Sequence, residues 1–127
     1  MPIEKYLSVF VKNKVGSLSD LATALEEAAI GIRAMSTVDD VDWAIVGLIV
    51  DDIEKAKQTL AERGWNFGES TVLAIEVANK PGTLADIVGE LAEHNINIVH
   101  TFATAAGERS LVVLMTTDNK KAAEILG

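Results

Sequence analysis

The sequence predicts an α+β protein built from two β-α-β-β-α-β units in tandem. Three observations carry that prediction. The first is an internal repeat: Asn13-Lys-Val-Gly-Ser-Leu18 returns as Asn79-Lys-Pro-Gly-Thr-Leu84, and the register then holds without a gap, pairing Asp20 with Asp86, Leu25 with Leu91, Ile30 with Ile96, Val46 with Val112, Asp52 with Asp118 and Leu60 with Leu126. Roughly 15 of the 48 aligned pairs from Asn13 to Leu60 are identical, more than amphipathic segments share by chance, so the repeat marks a duplicated domain and not a solenoid unit. The second is that hydrophobic period switches between the strand value and the helix value in the same order in both copies. The third is an apolar content of 49% with only 5% aromatics, which points to sheet surfaces buried on both faces.

Each element follows in turn. Tyr6-Leu-Ser-Val-Phe-Val11 alternates, as do Leu73, Ile75 and Val77 in the second copy, and both read as first strands. The Asn-Lys-x-Gly turn comes next. Ser17-x-x-Asp20 and Thr83-x-x-Asp86 read as capping-box variants that start a helix. Leu18, Leu21, Ala22, Leu25 and Ala29 fall at helical spacing, and so do Leu84, Ile87, Val88 and Leu91. Segments 30–38 and 96–104 are second strands. After a polar turn, Asp39-Asp-Val-Asp42 or Ala105-Ala-Gly-Glu108, third strands run through 43–50 and 110–116. Asp52 and Asp118 begin second helices, and Trp65-Asn-Phe67 forms a short fourth strand after Gly64. This is the split βαβ or ferredoxin-like plan, with helices on one face of each antiparallel sheet.

The repeat divides the chain into residues 1–68 and 69–127. Units of about 60 residues bury only about 60% of their unfolded surface, so a shared interface, oligomerisation or both are expected. The third strands, Ala44 to Val50 and Leu111 to Met115, are apolar at both parities, which predicts helix-free faces at least partly buried against another sheet. The second copy reaches Gly127 without a counterpart of the fourth strand. A missing C-terminal segment or a neighbouring chain is expected to fill that edge.

Composition narrows function. A net charge of −8 and a pI near 4.6 argue against nucleic acid and anionic membranes as partners. With no cysteine there is no disulfide or thiolate chemistry. The N-terminus lacks the pattern of a signal peptide, and the longest apolar stretch, Ala44 to Val50, is too short to span a bilayer, so the cytoplasm is the expected compartment. Ser17 and Thr83 have no histidine nearby in sequence, and capping explains them better than catalysis. His94 and His100 lack further ligands, and the Asp39–Asp42 loop lacks the spacing of a calcium loop. No catalytic residue, metal or cofactor is predicted.

The Asn-x-Pro-Gly-x-Leu turn between first strand and first helix, followed by Ile96-Asn-Ile98, resembles the ACT domain, a small regulatory module that binds amino acids or related metabolites. Asn79 to Leu84 fit the motif fully. The first copy departs from it at Val15, which replaces the proline, and at Gly31, which replaces the asparagine. The resemblance covers nearly the whole chain. It implies two ACT units side by side in a continuous eight-stranded surface, with a ligand between the turn of one unit and the second strand of the other.

The implied ligand residues are Asn13, Val15, Gly16, Ser17, Leu18 and Ile32 from the first copy, and Asn79, Pro81, Gly82, Thr83, Leu84, Asn97 and Ile98 from the second, whose turn is favoured. Their chemistry suits an amino acid. A helix N-terminus offers unpaired N–H groups and a positive dipole end to a carboxylate. Gly16 and Gly82 permit close backbone approach, and Pro81 stiffens its turn. Asn13, Asn79 and Asn97 offer both donors and acceptors. Leu18, Leu84, Ile32, Ile98, Met35 and Phe102 would line the side-chain pocket, and His100 could add a contact. The expected function is a non-catalytic amino-acid sensor that acts as a homodimer on a partner protein. The alternative is an assembly module with no ligand.

Overall fold

The computed structural model describes residues 2–127. Six antiparallel strands and four helices follow the order β1 (Ile3–Lys12), α1 (Ser17–Glu27), β2 (Ile32–Asp40), β3 (Trp43–Val50), α2 (Ile53–Glu62), β4 (Asn66–Ala78), α3 (Thr83–Glu93), β5 (Ile98–Ala106), β6 (Arg109–Thr116) and α4 (Asn119–Leu126). They form two compact units. The first is residues 5–70; the second is residues 71–127 together with the described N-terminal residues 2–4.

In the first unit the strands run in the order β2-β3-β1, with the leading residues of β4 beside β1. Register sets which side chains face the helices. Leu7 opposes Leu48, Val9 opposes Val46 and Val11 opposes Ala44, so one parity of β1 and β3 forms an apolar face. Leu21 and Leu25 of α1 and Ala56 and Leu60 of α2 close over it, and all of these residues are buried. Each large side chain in such a core contributes roughly 1.5–3 kcal/mol. Trp65 and Phe67 pack against the same core. The opposite face is mixed: Tyr6 and Ile49 are buried, whereas Phe10 and Trp43 are exposed.

In the second unit the order is β5-β6-β4, with Leu73 opposite Leu114 and Ile75 opposite Val112. These pack under Ile87 and Leu91 of α3 and Ala122 and Ala123 of α4. The edge expected to be filled by a missing C-terminal segment or a neighbouring chain is met by the chain's own N-terminal residues. The Ala74 N–H donates to the Pro2 carbonyl at 2.8 Å, and Ile3 packs on the second core.

Two further expectations change. The short fourth strand of the first copy and the first strand of the second are one 13-residue strand, β4. Gly68 does not break it: its φ is outside the left-handed region, and a β-carbon there would meet no atom within 4 Å. The other change concerns the helix starts. Asp52 and Asp118 are true N-caps, accepting from the N–H of Lys55 at 3.1 Å and of Lys121 at 3.0 Å. Ser17 and Thr83 are not. They are the first helical residues, Gly16 and Gly82 hold the cap positions, and no side chain caps either helix.

Candidate functional site

The duplicated turn has nearly the same backbone in both copies. The Lys14 N–H donates to Lys12 O at 2.9 Å and the Lys80 N–H to Ala78 O at 3.1 Å. The backbone N–H groups of Asp20 and Asp86 donate to the carbonyls of Gly16 and Gly82, each at 2.9 Å. Gly16 has φ 93° and Gly82 has φ 94°, a region that L side chains rarely enter. The proline is not what makes this shape, since the Val15 copy folds the same way and Val15 itself is fully exposed.

Asn13 and Asn79 each hold a neighbouring hairpin. The Asn79 amide nitrogen donates to Gly107 O at 2.9 Å, and its backbone N–H donates to Glu108 O at 2.8 Å. The Asn13 amide nitrogen donates to Val41 O at 2.9 Å and to the Asp39 carboxylate. Each asparagine thus clamps the tip of the neighbouring hairpin to the end of the first strand; Asn13 spends both amide hydrogens on this, whereas Asn79 spends one and keeps a donor and its side-chain oxygen. Asn79→Ala is expected to cost about 1 kcal/mol, the usual worth of one such bond. Urea unfolding monitored on the two tryptophans and by far-UV dichroism would measure it. A change below the error of the method would show that the clamp contributes nothing.

The helix starts carry the chemistry that remains. The first helical N–H groups, of Ser17 and Thr83, bond to the Lys14 and Lys80 carbonyls at 3.3 and 3.4 Å; with a left-handed glycine at the cap position, no side chain caps the N–H groups that follow them in α1 and α3. The Thr83 hydroxyl is buried and has no hydrogen-bond partner among the described residues, an arrangement that costs energy unless something else satisfies it. Leu18 and Leu84, one residue into each helix, are exposed. At the first turn a small concavity of about 170 Å³ is lined by Val11, Lys12, Lys14, Ser17, Asp20 and Trp65. Lys12 and Lys14 place positive charge beside the positive end of the helix, where an anion is favoured. Sequence reasoning missed these two lysines and Trp65 as neighbours of the turn; the lysines flanking Asn13 were the available signal.

The second-strand candidates are placed elsewhere. Asn97 precedes β5, and its N–H donates to the Thr117 hydroxyl at 3.1 Å; its side chain is exposed. Ile98 packs on the second core, while Ile32 and Met35 are exposed. Both second strands carry an irregularity at the same place, between Ile32 and Ala34 and between Ile98 and His100. Within the second unit the turn lies at the Gly107 end of β5 and Asn97 at the other. Nine residues of strand separate these ends by roughly 26 Å, so one unit alone does not bring the two groups together. His100 packs its ring against Phe102, with ring centres 5.8 Å apart.

Gly31 also acquires a reason. Its N–H donates to the Asp51 carboxylate at 2.9 Å, and a β-carbon at this position would lie 2.5 Å from the other Asp51 oxygen. Where the first copy has Gly31 and Asp51, the second has Asn97 and Thr117. Gly31→Asn is expected to destabilise the first unit by about 1 kcal/mol, and adding Asp51→Thr should recover most of that. A double-mutant cycle by urea unfolding checks it, and additive effects would refute the coupling.

Among the described residues no group of three His, Cys, Asp or Glu side chains is arranged to hold a metal ion. No described helix is long and apolar enough to cross a membrane.

With turn, glycine-led helix and strand order in view, the class is defined: the family model for an ACT domain pair matches residues 1–126. This chain belongs to the ACT domain pair family. No curated protein shows significant sequence similarity to it. Among solved structures it is similar to a protein of Bacteroides thetaiotaomicron, at 28% identity and TM-score 0.94, covering 98% of this chain and 87% of that one. It shares its fold with the ligand-free regulatory subunit of aspartate kinase from Thermus thermophilus, at 16% identity and TM-score 0.69, covering 96% and 89%. The corresponding subunit from Thermus flavus matches at 16% identity and TM-score 0.66, covering 99% and 91%.

Proposed function

We propose that this protein is a non-catalytic regulatory protein that binds a small molecule, an amino acid, at the turn from Asn79 to Leu84. The observation that supports it best is the start of α3. A left-handed Gly82 at an uncapped helix end sits beside a buried Thr83 hydroxyl that lacks a partner. A ligand carboxylate would accept from the first-turn N–H groups and from that hydroxyl. The Asn79 side-chain oxygen, with its amide nitrogen engaged by Gly107, would accept from the ligand ammonium. The remaining contacts would come from Asn97 and Ile98, or Ile32, on the second strand of another ACT unit, as the family resemblance implies. The turn from Asn13 to Leu18 would form a second site of the same kind through Val15, Gly16 and Ser17. The chain would act as a homodimer in the cytoplasm, with the ligand shifting the activity of a partner protein through different affinities for two states.

The test is thermal unfolding in the presence of each of the twenty amino acids at millimolar concentration. A ligand at 100 times its Kd adds about 2.7 kcal/mol, a shift of several degrees for a domain of this size. A single clear hit supports the reading. A flat screen would favour a ligand-free assembly module. The exposed Leu18, Ile32, Met35, Leu84 and Val99 are the observation on which that second reading rests.

A further inference from the structure

The helix-free face of the first unit holds a concavity of about 410 Å³ lined by Phe10, Asp40, Trp43, Ile45 and Asn66, a volume in the range of small-molecule sites. Strand register explains why these residues meet. Phe10 opposes Ile45, and Trp43 opposes Asp40, so both rows project to the same side of the sheet. Phe10 is 41% exposed and Trp43 47%, in a chain with only two tryptophans and three phenylalanines. The polar groups of the lining are the Asp40 carboxylate and the Asn66 amide. Neither side chain makes a hydrogen bond or ion pair among the described residues.

The second unit supplies an internal comparison. In the repeat alignment Phe10, Asp40, Trp43 and Ile45 correspond to Glu76, Ala106, Arg109 and Leu111. Those four residues, with Thr104 and Ser110, line a concavity of about 310 Å³ there. The fold therefore makes the hollow in both copies. Only the first furnishes it with two aromatic faces and an unpaired anion. In the second copy the same positions hold Glu and Arg, which water solvates readily.

Two π faces beside a carboxylate attract a cation with an apolar body. An anion would meet Asp40 together with Asp39 and Asp42 of the same hairpin. A neutral apolar molecule would cover Asp40 without pairing it, at a desolvation cost. We propose that this concavity binds an amphipathic organic cation, an ammonium group carried on an apolar body. The ammonium lies between the Trp43 ring and the Asp40 carboxylate, and the body lies on Phe10 and Ile45. The proposal goes beyond the amino-acid reading and does not depend on it.

The test uses Trp65→Phe protein, so that all tryptophan emission reports Trp43, titrated with benzyltrimethylammonium and, separately, with phenylacetate. The expected result is a saturable emission change with the cation and none with the anion. Asp40→Asn should weaken binding about tenfold, and Phe10→Glu should abolish the saturable change. Three outcomes would overturn the proposal: a response that never saturates, phenylacetate acting equally well, or unchanged affinity in Asp40→Asn. Sedimentation showing a dimer that Trp43→Arg dissociates would also overturn it, because a second copy would then cover this face.

Discussion

Gly47→Ala is expected to destabilise the first unit by about 3 kcal/mol, the upper range for overpacking. A β-carbon there would lie 1.6 Å from the Tyr6 hydroxyl oxygen and 2.3 Å from the ring carbon bearing it, the tightest approach at any described glycine. The register explains the intimacy. Ser8 is directly opposite Gly47, so Tyr6, two residues earlier, lies on the same face and reaches diagonally across the bare α-carbon. Tyr6 is 4% exposed and has little room to turn aside. Urea unfolding of Gly47→Ala, Tyr6→Leu and the double variant reads the effect. The double variant should be about 1–2 kcal/mol more stable than the sum of the singles predicts. A mild, additive Gly47→Ala would show that Tyr6 does not rest there.

The same contact has a pH signature. Burial pushes the Tyr6 phenol above its ordinary value, because the phenolate is poorly solvated there. The folded state therefore holds this proton more tightly than the unfolded chain. That contribution is fully present at neutral pH and is lost as pH rises through the folded-state value. Tyr6→Phe should flatten the alkaline fall in stability, and an unchanged alkaline limb would count against the burial.

What the sequence made legible was whatever depends on neighbours along the chain. Leu7, Val9 and Val11 face the helices as their alternation requires, and Asp52 and Asp118 cap α2 and α4 as their positions suggest. What it hid depends on residues far apart. Alternation says which face a side chain takes but not which strand lies beside it, so nothing in Leu73 to Val77 revealed that Pro2 and Ile3 would fill the edge. The short fourth strand at 65–67 and the strand through Leu73 to Val77 read as separate elements in the sequence, yet the polar residues between them are strand as well. The Asn79 amide is spent on Gly107, 28 residues away, a partner that no local pattern announces. Ser17 and Thr83 misled for a simpler reason. Serine and threonine are favoured N-caps, but a glycine stood immediately before each, and its freedom at positive φ let the helix begin one residue later than the capping rule implied. The turn motif was legible as a motif, but the hydrogen bonds of its asparagines to a distant hairpin tip were not.

Gly82→Val has the other large expected effect, on stability and on binding together. Its φ of 94° lies where a β-branched residue is strained, and no atom lies within 4 Å of the β-carbon position. The cost is therefore purely conformational, about 2–3 kcal/mol. If the α3 start is the ligand site, the added side chain also crowds the N–H groups that face the carboxylate. The amino acid that stabilises the wild-type protein should then give no thermal shift. A loss of binding caused only by unfolding is separated by Gly82→Asn, since asparagine tolerates positive φ far better than valine. That variant should stay folded with a cost near 1 kcal/mol and still lose the shift. Gly16→Asn in the first copy serves as its partner. If it alone removes the shift, the working site is the turn at Asn13 and the intact Asn-x-Pro-Gly motif is not the determinant. If both glycine variants retain a full shift, the helix-start site is wrong and the free N–H groups of α1 and α3 are simply solvated.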